Sequence, residues 1–203
     1  RTLDDLLNVY LGSVGGNASL ILNIPPTPEG LFHENDVRRL EEIGETLRGW
    51  FAENLLNRAD TRMEAPDAQP GFGIENAREE NYDACFKTPD GVWHTEITAS
   101  WDTPVSIRHL ILKEDLRYGE RIESFAVDAL QNGEWVEQAS GLTVGHKRIV
   151  TLDTAATALR IRITDSRVAP TLSFIGERPM LRQKFCKLRA LFEARGRFLK
   201  RSY

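Results

Sequence analysis

The stretch Ser19–Ile24, SLILNI, constrains this chain more than any other, because it is apolar at almost every position and bracketed by residues that end regular structure. A run of that length and composition suits a strand buried on both faces, as in a parallel sheet flanked by helices. Gly15 and Gly16 precede it; Pro25, Pro26 and Pro28 follow, each lacking an N–H and pushing its predecessor out of helical geometry. Before it, Leu3, Leu6, Leu7, Tyr10, Leu11 and Val14 recur at helical spacing, with Thr2 as cap and Asp5 in the reciprocal position of a capping box. After it, a second helix is expected from Glu34 or Asn35 to about Asn57, with Val37, Leu40, Ile43, Leu47 and Leu55 on one stripe. Helix, buried strand, helix is a unit of an α/β layered or barrel fold. A single parallel strand leaves both its edges open, so residues 1–57 read as the end of a larger domain whose other strands lie outside this chain.

Beyond that unit the periodicity lapses. Residues 58–88 mix charge, proline and glycine as a linker or wrapping loop does. From there the period becomes alternating, with strands expected at Val92–Trp101, Val105–Lys113, Ile122–Leu130, Glu134–Gln138, Leu142–Leu152, Leu159–Thr164 and Thr171–Ile175. Short strands at even spacing with polar turns predict an antiparallel β-sandwich over 89–179. In ALRIRIT, Leu159, Ile161 and Ile163 should face inward and Arg160 and Arg162 outward. Residues 180–203 return to helical spacing, with Leu181, Phe185, Leu188 and Phe192 on one face and eight Lys or Arg against the single Glu193, giving a basic amphipathic helical tail. The fold expected is therefore α+β and mostly β.

Charge excludes little but ranks the partners. With 26 Lys plus Arg against 30 Asp plus Glu, the net charge of −4 gives no reason to expect nucleic acid or an anionic membrane surface. No apolar run approaches the roughly 20 residues of a membrane span. Cys85 and Cys186 fit no metal or redox spacing and read as unpaired thiols. His33, His94, His109 and His146 are dispersed, with no pair at metal-ligand spacing, so no metal site is expected from them.

SVGGNASLILNIPPTPEGLFHENDVRRLEEIG resembles the end of the catalytic barrel of the α-L-fucosidase family of glycoside hydrolases. VWHTEITASW, ILKEDLRYGERIESFAVDAL, GEWVEQASGLTVGHKRIV and ALRIRITDSRVAP are similar, in the same order, to that family's C-terminal discoidin-like (galactose-binding-like) sandwich, so the resemblance runs from about Leu3 to Pro179. Gly119-Glu120-Arg121 stands where relatives often show Gly-Gln-Arg, and Thr143 to Arg148 resembles their Thr-Ile-Gly-x-Lys-Arg. NYDACF departs from it, with Phe86 where a larger aromatic is common. The resemblance implies the terminal helix-strand-helix of a (β/α)8 TIM barrel, a sandwich and a tail. It also implies a cofactor-free, exo-acting retaining hydrolase of terminal α-L-fucose on glycans, exported to periplasm, lysosome or medium.

The family's two catalytic carboxylates map upstream of this sequence. Retaining hydrolysis needs a nucleophile and an acid/base about 5 Å apart on rigid elements. Here Asp4 and Asp5 fall on the solvent side of the first helix, opposite the strand's C-terminal end, Glu34 and Asp36 read as helix-start residues, and Glu29 alone falls in the loop after the strand. No catalytic residue is therefore assigned. Asn23, at the strand's end, and Glu29 are the substrate-adjacent candidates. In the sandwich, Trp93, Trp101 and Phe86 are candidates for stacking on a sugar face, although the shared parity of Trp93 and Trp101 favours core packing or contact with the barrel for those two. Arg121, Lys147 and Arg148 form a candidate charge cluster. The fragment should be inactive alone, its partners being the missing upstream barrel and, through the parent enzyme, a fucosylated glycan; its oligomeric state stays open. The rival reading is a stand-alone carbohydrate-binding discoidin-like module. A third is a degenerate relative kept as a scaffold.

Overall fold

The computed structural model describes residues 1–81 and 83–179. The basic tail expected over 180–203, with Cys186, lies outside them. Helix α1 (Leu3–Ser13) has the capping box that Thr2 and Asp5 predict: Asp5 N–H donates to Thr2 Oγ1 at 3.1 Å and Thr2 N–H to Asp5 Oδ2 at 3.0 Å. Helix α2 (Glu34–Trp50) is capped by His33, whose Nδ1 accepts from Asn35 N–H. It ends seven residues short of the expected Asn57. The cause is tertiary: Asn54 Oδ1 accepts from Leu56 N–H, starting a 3-10 turn over Leu55–Asn57, and also from Glu177 N–H far along the chain.

Between the helices, Ser19–Ile24 forms neither helix nor strand, and among the described residues it pairs with none. Ile21 is 91% exposed. The burial that its composition demands is therefore not supplied by this chain's own sheet, which is antiparallel and lies elsewhere.

The strands are β1 (Arg62–Glu64), β2 (Phe86–Lys87), β3 (Thr95–Lys113), β4 (Ile122–Gln131), β5 (Glu134–Gly141), β6 (Arg148–Ser166), β7 (Thr171–Leu172) and β8 (Phe174–Pro179). They form a six-stranded antiparallel sheet in the order β1-β3-β6-β4-β5, with β8 also on β3, and a separate β2-β7 ribbon. The stretches 92–101 and 105–113, expected as two strands, are one. So are 148–152 and 159–164, read as parts of two separate strands.

Nineteen residues each, β3 and β6 would run about 60 Å at roughly 3.3 Å per residue, far longer than a domain of this size. They bend instead. The β3–β6 register slips between Ser100 and Val105 and again between Ile107 and His109, and Asp153 takes a left-handed φ of 46°. One half of the pair then carries β8 and the other carries β1, β4 and β5, and a single core joins them: Ile107, Leu110 and Leu112 from the first half; Ile97, Leu159, Ile161, Ile163, Phe125 and Val127 from the second. As the alternation predicts, Leu159, Ile161 and Ile163 face this core. Residues 55–87 complete it with Leu55, Leu56, Ile74, Ala77 and Phe86.

The outer faces are treated differently. On one, α1 and the end of α2 cover Ile111, Ile149 and Phe174 with Tyr10, Leu11 and Phe51, and the Trp50 ring lies 4.9 Å from that of His109. On the other, Arg160 and Arg162 share the buried carboxylate of Asp128, with Nε–Oδ2 distances of 2.9 and 2.8 Å, and the Arg160 guanidinium sits 4.6 Å from the Trp135 ring centre. Their hydrogen bonds, Arg162's first, hold the Asp128 carboxyl below its usual range. Asp128→Ala leaves two half-buried guanidinium groups without their shared partner. It should destabilise the fold by about 3 kcal/mol in denaturant titration.

Two buried groups lack such compensation. Glu177 is wholly buried, its register partner is the core residue Leu110, and among the described residues neither carboxylate oxygen has a hydrogen-bond partner. Burial pushes its pKa from 4.5 up to about 8. Burial, and then the Arg108 charge, push His109 from 6.5 down to about 4. The unfolded chain thus holds fewer protons than the native one at Glu177 between pH 4.5 and 8, and more at His109 between pH 4 and 6.5. Stability should be lost toward pH 8 through Glu177 and toward pH 4 through His109, with a plateau between where the two slopes oppose. Glu177→Gln should flatten the alkaline limb and leave the acid limb, as read from unfolding midpoints across this range.

Candidate functional site

The helices and the exposed apolar segment are fixed to the sheet by a short polar clip. After α1, Gly15 C=O accepts from Ile149 N–H at 2.8 Å and Gly16 bridges to Arg148. Asn17 follows with φ 66°, a conformation that its short amide tolerates better than most side chains. Its Oδ1 accepts from His146 N–H at 2.7 Å and its Nδ2 donates to Glu120 Oε1 at 3.0 Å. Gly145 has φ 61°, and a Cβ there would overlap the Asn17 side chain. Gly15 is equally confined, against the Leu11 carbonyl.

From this clip the chain runs along a cleft of about 350 Å³ between α1, α2 and residues 22–25. Asn23 lines it beside Asn35, Asp36 and Arg39, over the apolar floor of Leu6, Leu40 and Ile43. Asp36 is its one carboxylate. Glu29 stands apart in the exposed turn Thr27–Gly30, where its own N–H and then the Thr27 hydroxyl hold its carboxyl below the usual range. The cleft brings together Asn23 and Asp36 but not Glu29, so it lacks the carboxylate pair that hydrolysis of a glycoside requires.

The three aromatic candidates part company. Phe86 is wholly buried in the core, and Trp101 is 3% exposed with its Nε1–H on Thr61 Oγ1, so neither ring meets solvent. Trp93, ahead of β3, is 50% exposed. Burial claims Phe86 and Trp101 because both pack into the core, one from the β2–β7 ribbon and one from β3, where sequence parity fits core and ligand roles alike. The proposed basic cluster is dispersed as well: Arg121 bonds the Tyr118 and Ala169 carbonyls, Arg148 the Thr143 carbonyl, and Lys147 lies over the Phe51 ring. Among the described residues no group of His, Cys, Asp or Glu could hold a metal, and no helix is long and apolar enough to cross a membrane. Cys85 is a buried free thiol, its pKa pushed up to about 11 by burial and then by Asp115.

Sequence reasoning passed over Glu114. Its Oε1 accepts from the N–H groups of Arg121 and Ile122 at 2.7 and 2.9 Å, and its Oε2 from Gly145 N–H at 2.6 Å. The available signal was a Glu-Asp pair ending an apolar run, ILKED. Asn17 carried a signal too, as an Asn directly after two glycines.

The described residues form a mostly β, antiparallel domain preceded by two helices. It matches the C-terminal domain of α-L-fucosidases, to which the chain is similar throughout most of its length. It is 30% identical over 177 residues to alpha-L-fucosidase 1 of Arabidopsis thaliana, covering 84% of this chain and 35% of that protein. Among solved structures, it superposes on SpGH29 with a TM-score of 0.82 at 28% identity, covering 90% of this chain and 40% of that one. With the Ruminococcus gnavus GH29 fucosidase in complex with fucose the TM-score is 0.82 at 25% identity, covering 89% and 37%. The chain thus spans between a third and two fifths of the length of these relatives. No family model matches it.

The clip gives a sharp expectation. Gly145→Ala should destabilise the protein by about 1–3 kcal/mol, through the positive φ and the overlap with Asn17. Asn17→Ala should cost about 1 kcal/mol by leaving His146 N–H unpaired. Thermal unfolding midpoints of the two variants check both.

Proposed function

We propose that this chain is the C-terminal, non-catalytic region of an exo-acting, retaining α-L-fucosidase, and that residues 1–57 are the last helix-strand-helix of that enzyme's (β/α)8 barrel. One observation carries the reading. An apolar segment, Ser19–Ile24, stands unpaired among the described residues between two helices, held at one end by the Gly15–Asn17 clip. Leu20, Ile21, Leu22, Leu31, Phe32 and Val37 are all exposed around it, an apolar surface of the kind that a neighbouring strand and helix cover. An α-L-fucoside as substrate follows the names of the relatives, one of them solved in complex with fucose; terminal fucose on a glycan, and export from the cytoplasm, are part of the proposal. The bent sheet with its covering ribbon is read as a discoidin-like sandwich that supports the barrel, and the cleft beside Asn23 as part of the barrel rim. Trp93 is the aromatic left on the surface for stacking on sugar.

The reading is tested on the gene and on the protein it encodes. The frame upstream of Arg1 should continue through alternating strands and helices bearing two acidic residues at strand ends. The protein from that whole frame should hydrolyse an aryl α-L-fucoside, and the 203-residue chain should not. Ile21→Asp in the whole protein should lower its activity at least about tenfold by placing a charge among packed strands. A start codon directly before Arg1, or a whole protein with no fucosidase activity, overturns the proposal.

A further inference from the structure

We propose that the end of the sheet closed by Glu114 carries a binding site for a single neutral sugar ring, separate from the cleft beside Asn23 and from Trp93. A cavity of about 140 Å³ opens there between Glu80 and Asn81, the turn Lys113–Arg117 after β3, His146 and Ser173. At about 30 Å³ per water it has room for several waters, and it falls short of the roughly 300 Å³ at which pockets for larger ligands begin. One pyranose is the scale that it suits.

The walls argue for the ligand's chemistry. Lys113 donates to Glu80, and Arg117 grips Asp115 through Nε–Oδ1 at 2.9 Å and NH2–Oδ2 at 2.6 Å. Two ion pairs thus set donors beside acceptors on the cavity's sides. Vicinal hydroxyls answer that pattern, since each can donate to a carboxylate oxygen while accepting from a neighbouring N–H. An anion is poorly served, because Glu80, Glu114 and Asp115 outnumber the two cations. Leu116, 46% exposed, adds an apolar patch for the C–H face of a ring.

The frame is built before any ligand arrives. Glu114 fixes three backbone N–H groups beneath the cavity, Asp115 also accepts from Arg117 N–H, and Ser173 Oγ donates to the Glu114 carbonyl. Four separate chain segments therefore hold their polar groups in place through bonds that a bound sugar need not break. That preorganisation lowers the cost of ordering on binding. Nothing in the argument requires the barrel, so the site stands or falls apart from the fucosidase reading.

The test is titration of the 203-residue chain with L-fucose, D-galactose and D-glucuronate, followed by backbone amide shifts. At least one neutral sugar should saturate in the millimolar range, shifting the amides of Gly145 and Arg117. Glu80→Ala and His146→Ala, both at exposed side chains, should each weaken that binding at least about tenfold; His146→Ala leaves the unfolding midpoint unchanged, whereas Glu80→Ala lowers it by taking the partner from the largely buried Lys113. Absence of saturation by either neutral sugar overturns the proposal, as does saturation that survives both substitutions or a preference for glucuronate.

Discussion

The carboxylate of Glu114 holds together parts of the sheet that strand pairing alone leaves apart. Ile122 begins β4 opposite Ser166, at the far end of β6, whereas Leu112 near the end of β3 lies opposite Arg148, at its beginning. On a flat sheet those points would be tens of ångströms from each other. Glu114 nevertheless accepts from Ile122 N–H with one oxygen and from Gly145 N–H with the other. The sheet must therefore double over, and the doubling lets a single set of strands enclose a core on both sides. With three N–H donors, this buried carboxylate is compensated where an unpaired one would cost several kcal/mol. The Asn17 clip attaches at the same end, so the position of α1 and of the segment after it follows from how the sheet closes.

Burial of charge elsewhere divides along functional lines. Asp128 is buried on the outer face of the sheet with two guanidinium partners, a stable arrangement because the strands beneath it are paired on both sides. Glu177 and His109 are buried without full partners, and both lie where a second element rests on β3 and β8: the 3-10 turn capped by Asn54 in one case, the end of α2 in the other. Burial at these seams between the helical part and the sheet favours the neutral form of both groups.

What the sequence discloses is whatever depends on neighbours along the chain. Thr2 and Asp5 announce the start of α1, and the alternation of Leu159, Ile161 and Ile163 announces the inner face of β6, since both patterns are read within a few residues. Pro104 looks like the end of a strand, yet it falls where the β3 ladder is interrupted by the bend, so the missing N–H costs no ladder bond and the strand continues. The end of α2 depends on Asn54 reaching Glu177, 123 residues away. The roles of Glu114 and Asn17 likewise arise only from closure. In the candidate site the same limit applies: Asn23 and Glu29 sit in one loop by sequence, but the turn at Gly30 carries Glu29 away from the cleft.

The apolar segment shows how composition can specify a contact that the chain does not itself make. Burying a large aliphatic side chain is worth about 1.5–3 kcal/mol. Leu20, Ile21 and Leu22 forgo much of that, although the same sequence spends ordered interactions, at Gly15, Gly16 and Asn17, on holding them in line. A solvent-exposed loop with no partner gains nothing from such positioning, and leucines and isoleucine would be poor choices for it. The pattern is intelligible if the clip's role is to present an edge and two apolar faces at a fixed angle to the sheet. A domain built so supplies rigidity to whatever pairs with that edge.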